Sequence, residues 1–264
     1  MKLLDGKEYV KEDLLKKMVN DDFYYNKLSV KKVLSYSSAK WLLKSPKYFL
    51  DQCNRPMVET QPLRDGRLIH TQILEPKKYK QLNFIDVSSK RVKKWTEAVE
   101  LHGSADTYTL KEKYINRKIA KAFLGNDACT SYMQNTEFEV PGLATVDGIP
   151  FRAKADILGD DFVADVKTTN DGVAEIGNGK NQFEYTIRKY SYEMQAYLYT
   201  QMFNKPDFYW LVIDKTTTDI GIFKASKETL ERGKAQLDHA LSLYKDLFLE
   251  KLIPLEQLHV YKEI

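Results

Sequence analysis

Asp156, Asp165 and Lys167 have the side-chain types and spacing from which a hydrolytic site can be built. Eight residues separate the two acids, and Gly159-Asp160-Asp161 in their midst is a turn signal. The stretch therefore reads as two strands of a hairpin. In the second strand Val163, Asp165 and Lys167 point one way, and Phe162, Ala164 and Val166 point the other. An even-numbered loop places Asp156 on the face of Asp165 and Lys167. Two carboxylates and an ammonium then meet at one point of a sheet. Burying them is costly unless something offsets the charge, and a divalent cation does so naturally. Carboxylate oxygens would hold Mg²⁺, and the lysine would stand by the attacking water or the charge developing on phosphorus. That is the chemistry of phosphodiester hydrolysis. The chain is 30% charged, so such triplets also arise by chance, and a solvated strand edge reads the same way.

Other segments supply matching parts. His70 lies in a helical pattern over residues 63–74, in which Leu63, Arg67, His70 and Leu74 fall near one face. Gln195 and Tyr199 are four apart in a tyrosine-rich helical stretch and share a face. Ser35, Ser37 and Ser38 stand at a helix start, where free N–H groups and hydroxyls could hold a terminal phosphate. Each has a plainer reading: a core histidine, helix packing against a sheet, and simple N-caps. Glu137 and Glu139 either face solvent from a strand or approach the metal.

The elements that must position these residues follow from pattern. Residues 35–52 read as a helix interrupted or kinked at Pro46. Residues 63–74 form a helix closed by Pro76, residues 83–87 are strand-like, and 90–101 and 110–124 read as exposed basic helices. From Thr136 the period changes to two. Residues 136–140, 149–158 and 161–168 form an antiparallel meander with Val146-Asp147-Gly148 as a turn. A Gly- and Asn-rich loop over 170–181 precedes a long helix over 190–203, a hairpin over 208–225 and a final helix over 226–250. This order predicts an α+β fold, α/β/α in layers, with a mixed central sheet flanked by helices. One domain spans 1–264, with residues 1–30 as a loosely held N-terminal arm.

The chain of 264 residues, 43% hydrophobic and 12% aromatic, is long enough to bury a real core. Its net charge of +4 excludes a polyelectrolyte clamp, although lysines cluster at 31–32, 77–80, 90–94 and 111–121. Such clusters meet phosphates or simply face solvent, and solvated helix surface is the stronger reading for each one. Two distant cysteines, Cys53 and Cys129, imply neither a disulfide framework nor a cysteine-bound Fe–S cluster. No apolar run suits a signal segment or a membrane span, so a cytoplasmic protein without membrane contact is expected.

Five segments together resemble the PD-(D/E)xK nuclease superfamily, and more closely its exodeoxyribonuclease VIII (RecE-like) branch of phages and prophages. They are Ser35-Tyr36-Ser37-Ser38-Ala39-Lys40-Trp41-Leu42 with Ser45-Pro46-Lys47-Tyr48-Phe49; Gly66-Arg67-Leu68-Ile69-His70 leading to Leu74-Glu75-Pro76; Phe151-Arg152-Ala153-Lys154-Ala155-Asp156; Asp165-Val166-Lys167-Thr168-Thr169; and Gln195-Ala196-Tyr197-Leu198-Tyr199. Ala155 stands where the superfamily name has proline. The resemblance implies a restriction-endonuclease-like core and a 5′-to-3′ exonuclease on double-stranded DNA ends that exposes 3′ single strands for recombination. It implies His70, Asp156, Asp165 and the Val166 carbonyl as ligands of Mg²⁺, with Mn²⁺ as a substitute. Lys167 would orient or activate water, while Gln195 and Tyr199 would position the lysine or the DNA. Ser35, Ser37 and Ser38, helped by Arg67 or Arg188, would read the 5′ end. A DNA-encircling homo-oligomeric ring, a single-strand annealing protein as partner, and a bacterial or phage-infected cell belong to the same expectation. An endonuclease or structure-selective nuclease of this fold, or a catalytically silent DNA-binding accessory protein, are the alternatives.

Overall fold

Capping chemistry divides the first half of the chain into short helices. In the computed structural model, which describes residues 1–55, 58–173, 175–176, 180–252 and 254, α1 (Lys11–Met18) precedes a π-helical turn at Phe23–Lys27. Next come α2 (Tyr36–Lys44) and α3 (Pro46–Asn54). Ser45 is extended and its hydroxyl accepts from the Tyr48 N–H at 3.0 Å, while Pro46 takes the first helical position, where no N–H is needed. The expected interruption at Pro46 is thus a clean break between two helices.

The chain continues through α4 (Gln61–Leu74), α5 (Pro76–Tyr79), β1 (Asn83–Ile85), α6 (Lys93–His102), β2 (Thr107–Thr109), α7 (Leu110–Leu124) and α8 (Asp127–Ser131). Thr109 and Glu112 form a capping box at the start of α7. The face that α4 buries is not the stripe Leu63, Arg67, His70 and Leu74, of which only Leu74 is buried. Leu63 is 52% exposed, and the core stripe of α4 is Leu68, Ile69, Ile73 and Leu74. Helix α7, read as exposed and basic, buries Glu112, Asn116, Ile119, Ala120 and Phe123.

The second half builds the sheet: β3 (Glu137–Val146), β4 (Ile149–Leu158), β5 (Phe162–Thr169), the two-residue strands β6 (Glu175–Ile176) and β7 (Lys180–Asn181), α9 (Gln182–Lys189), α10 (Tyr192–Phe203), β8 (Asp207–Asp214), β9 (Ile220–Lys224) and α11 (Lys227–Tyr244). The central sheet has the order β3-β4-β5-β8-β9. Only β5 and β8 in it are parallel, joined by the crossover through α9 and α10. One face packs against α2, α3, α10 and α11, the other against α4, α7 and α8. The fold is therefore the expected α+β sandwich with a mixed sheet between helices. Helix α9 fills residues 182–189, between the expected loop and the expected long helix; of the loop, Ala174, Gly177, Asn178 and Gly179 lie outside the described residues.

Residues 1–30 are not a loose arm. Leu3, Leu14, Met18, Tyr24 and Leu28 are buried in a cluster with Val33 and with Leu143 of β3. The Arg152 guanidinium of β4 donates to the Tyr24 and Leu28 carbonyls. Apolar spacing in α1 is masked by its five charged residues, Lys11, Glu12, Asp13, Lys16 and Lys17.

One irregularity of the sheet matters most. Strands β4 and β5 are paired only at Ile157↔Ala164 and Leu158↔Val163, next to the turn. Beyond that point β4 follows β3 to Val146↔Ile149, and β5 follows β8 to Thr169↔Asp214. The sheet forks at Asp156 and Asp165. Ala155 and Ile157, two apart in one strand, consequently pack into opposite layers. Across from the fork Glu139 holds a left-handed φ of 52°, a strained conformation for a residue with a side chain.

Candidate active site

The fork frees backbone groups and admits side chains from both helical layers. The Val166 N–H donates to Asp156 Oδ2 at 2.7 Å. From the α10 side, Gln195 Nε2 donates to Asp165 Oδ1 at 2.7 Å. Lys167 Nζ lies 2.5 Å from Asp165 Oδ2 in a buried ion pair. The ammonium also stands 4.8 Å from the centre of the Tyr192 ring. From the opposite layer α4 sends His70, whose Nδ1 is 3.5 Å from Asp156 Oδ2.

Two groups result. His70, Glu139 and Asp156 each place one ligand atom within 4.8 Å of the others. Asp165 stands beside this trio, held by Gln195 and Lys167. Glu139 is 3.5 Å from Lys154, whose ammonium reaches Asp21 of the N-terminal segment at 2.6 Å.

The electrostatics are unsettled in one direction. Burial raises the Asp156 carboxyl well above the ordinary range, and the Asp165 charge adds to this against Lys167 and the Val166 N–H. Burial, then Asp156, pushes Glu139 up to about 7, opposed by Lys154 and His70. Burial lowers His70 despite the carboxylates of Asp165 and Glu139, which favours the neutral, ligating imidazole. Burial alone would lower Lys167, but Asp165, Tyr192 and Asp156 outweigh it and keep the lysine charged. Two carboxylates that resist ionisation beside a neutral imidazole form an O,O,N donor set suited to a divalent cation. A positive ion would relieve the repulsion that burial intensifies.

The other expected residues are placed as follows. Tyr199 is buried, with ring centres of Phe203 and Phe208 at 6.0 and 6.2 Å. Ser35 and Ser38 close on one another in the capping box of α2, so their hydroxyls are occupied, whereas Ser37 is exposed. Arg67 is drawn to Glu59 and donates to the Tyr108 hydroxyl at 2.9 Å. Arg188 is exposed, and its guanidinium has no partner among the described residues.

Sequence reasoning missed Lys40. Its ammonium lies 5.2 Å from the Tyr36 ring centre and 5.9 Å from that of Tyr190, with no carboxylate in ion-pair range among the described residues. Burial, then the neighbouring Lys167 charge, lowers its pKa. Its spacing from Ser37, three residues along one helix, was the available signal. Sequence alone leaves Glu139 open, because only the pairing of β3 with β4 brings it to Asp156.

A family model described as a PDDEXK-like domain of unknown function (DUF3799) matches residues 35–256. No curated protein matches the chain. Among solved structures, a "putative exonuclease" from Eubacterium rectale superposes with a TM-score of 0.63 at 14% identity, covering 98% of this chain and 97% of the other. The structure of SSO0001 gives a TM-score of 0.29 at 18% identity, covering 65% and 84%. Among the described residues no helix is long and apolar enough to cross a membrane.

Proposed function

The chain belongs to the PDDEXK-like domain family, and from that premise we propose that it is a divalent-metal-dependent deoxyribonuclease that degrades linear double-stranded DNA from its 5′ ends. The observation that carries the proposal is the fork, where His70, Glu139 and Asp156 cluster beside the Asp165–Lys167 pair. The 3′ single strands left behind would serve recombination, with a single-strand annealing protein as the consumer and a homo-oligomeric ring as the working form.

His70, Asp156, Asp165 and the Val166 carbonyl would hold Mg²⁺ or Mn²⁺, with Glu139 in the same cluster. The bound cation supplies positive charge at the scissile phosphate and acidifies water. Lys167, kept protonated by its acidic neighbours, places a fixed ammonium beside the reacting phosphate and water. Gln195 fixes the Asp165 carboxylate, so the charge that holds Lys167 does not swing away. Tyr199, on the same helix as Gln195, would help position the lysine or the DNA. At the 5′ end Ser37 and Lys40 offer a free hydroxyl and an unpaired ammonium next to Lys167. Ser35 and Ser38 contribute the capped helix start. Arg188 is available to the same strand, whereas Arg67 contributes only by leaving Glu59.

The test is digestion of 5′-labelled linear duplex beside a covalently closed circle, with Mg²⁺ and with EDTA. Metal-dependent release of label and an intact circle are expected. Cut circles would make the protein an endonuclease. An intact linear duplex under every metal would overturn the nuclease reading.

A further inference from the structure

The π-helical turn Phe23–Lys27 precedes the matched region, which begins at residue 35. It nevertheless stands at the fork. Such single π-turns are frequent at functional sites, and this one carries two adjacent tyrosines, Tyr24 and Tyr25. Tyr24 is buried, and the Arg152 and Lys154 cations lie 4.6 and 5.2 Å from its ring centre. Tyr25 meets Tyr24 edge-on at 4.8 Å and remains 55% exposed.

This exposure is not looseness. Arg152 ties down the carbonyls of Tyr24 and Leu28, and Asp21 bridges to Lys78 and Lys154. Lys154 in turn pairs with Glu139 of the trio. The Lys154 ammonium, 5.8 Å from the Tyr25 ring centre, is 3.5 Å from Glu139, so the half-exposed ring stands beside the acid cluster. Among the described residues its ring neighbours are the Tyr24 edge and the Lys154 ammonium at 5.8 Å. A large aromatic surface is therefore held rigid and open at the lip of the acid cluster. A flat apolar ring beside a phosphate site matches what nucleobases require, because every base has a face to stack and a phosphate one bond series away.

We propose that Tyr25 is a nucleobase-stacking residue: the strand whose phosphate enters the fork lays an unpaired base on the Tyr25 ring. The proposal rests on the nuclease reading of the fork. It makes the N-terminal segment part of the substrate surface and Tyr25 a determinant of strand position.

The test compares the full chain with Tyr25→Ala, Tyr25→Phe and Tyr25→Trp. Cleavage of linear duplex with Mg²⁺ gives kcat and KM. Fluorescence anisotropy with a single-stranded oligonucleotide, in an Asp165→Ala background, gives affinity without turnover. Tyr25→Ala should weaken binding and raise KM by about 5- to 150-fold, the range of one lost base–aromatic stack. Phe and Trp should restore both, and all three variants should melt like the parent because the ring is exposed. Unchanged affinity in Tyr25→Ala would overturn the proposal. So would Tyr25→Phe as weak as Ala, since the hydroxyl would then be the working group. If the parent cleaves and Tyr25→Ala cleaves equally well, only this inference falls. If the parent neither binds nor cleaves DNA, the nuclease reading falls with it.

Discussion

Helix α4 carries Arg64 into one buried charged cluster and His70 into another, and the two clusters behave in opposite ways. Arg64 and Glu112 are both buried. Glu112 accepts from Lys90 at 2.7 Å, the Thr109 N–H at 2.7 Å, Gln61 at 2.9 Å and Arg64 at 3.3 Å. Burial raises its carboxyl, yet Lys90, Thr109, Gln61 and Arg64 outweigh it and hold it at about 2. Arg64 also donates to Glu59 and to the carbonyls of Ser104 and Thr107. Nearly every donor there has an acceptor. In the fork, Glu139 and Asp156 are pushed up rather than down, Gln195 Oε1 has no hydrogen-bond partner, and Asp165 Oδ2 has only the Lys167 ammonium. A satisfied cluster locks α4 to α7 and β2. An unsatisfied one, excess in acid and built on a strained residue, is arranged for something the chain does not itself supply.

The contrast breaks first at the acids. Asp156→Asn and Asp165→Ala should each lower DNA cleavage about a thousandfold or more, since several kcal/mol of charge stabilisation go with the cation. Asp156→Asn should leave the melting temperature unchanged or higher, because it removes repulsion. A loss of melting temperature with full activity would reverse the assignment. Arg64→Met should do the opposite, costing about 3–5 kcal/mol in denaturant unfolding because buried partners are stranded. A cost as small as that of a surface pair would show the cluster to be solvated.

pH separates the two clusters by sign. Glu112 ionises more easily folded than unfolded, so its contribution is present above its ordinary 4.5 and lost as pH falls towards about 2. Glu139 is the reverse. The folded, metal-free protein holds the Glu139 proton up to about 7, so stability from this group is present below 4.5 and lost as pH rises to about 7. Metal-free melting curves should therefore fall across that upper window, Glu139→Gln should flatten the fall, and Mg²⁺ should offset it in the parent. A Glu139→Gln profile parallel to the parent would remove Glu139 from the cluster. The smallest effect lies between the clusters, at Gly66. An added Cβ would meet only Thr168 Oγ1 at 3.9 Å, so Gly66→Ala should stabilise the helix by about 0.5–1 kcal/mol in denaturant unfolding. Destabilisation would mean that α4 has less room beside β5 than this spacing provides.

Much of this architecture is written locally. Pro46 after Ser45 breaks a helix, Thr109 and Glu112 start one, and the alternation through Asp165 and Lys167 sets a strand, because each depends on neighbours in sequence. What was not legible depends on distance along the chain. The fork arises because β4 and β5 each prefer their outer partner, which no residue between 156 and 165 announces. Glu139 joins the trio through register, Lys40 reaches Lys167 through the packing of α2, and the N-terminal segment docks through Arg152. The stripe Leu63, Arg67, His70 and Leu74 was read as one helix face, but the core takes Leu68, Ile69, Ile73 and Leu74 and leaves His70 for the fork.

The most direct test of the fork as a cation site is calorimetric titration of Mn²⁺ into the parent and into Asp156→Asn at neutral pH, repeated in buffers of different ionisation enthalpy. Saturable binding with net proton release is expected in the parent, because Glu139 and Asp156 must give up protons to ligate. Asp156→Asn is expected to lose that binding. Equal binding by both proteins, or no binding by the parent, would contradict it.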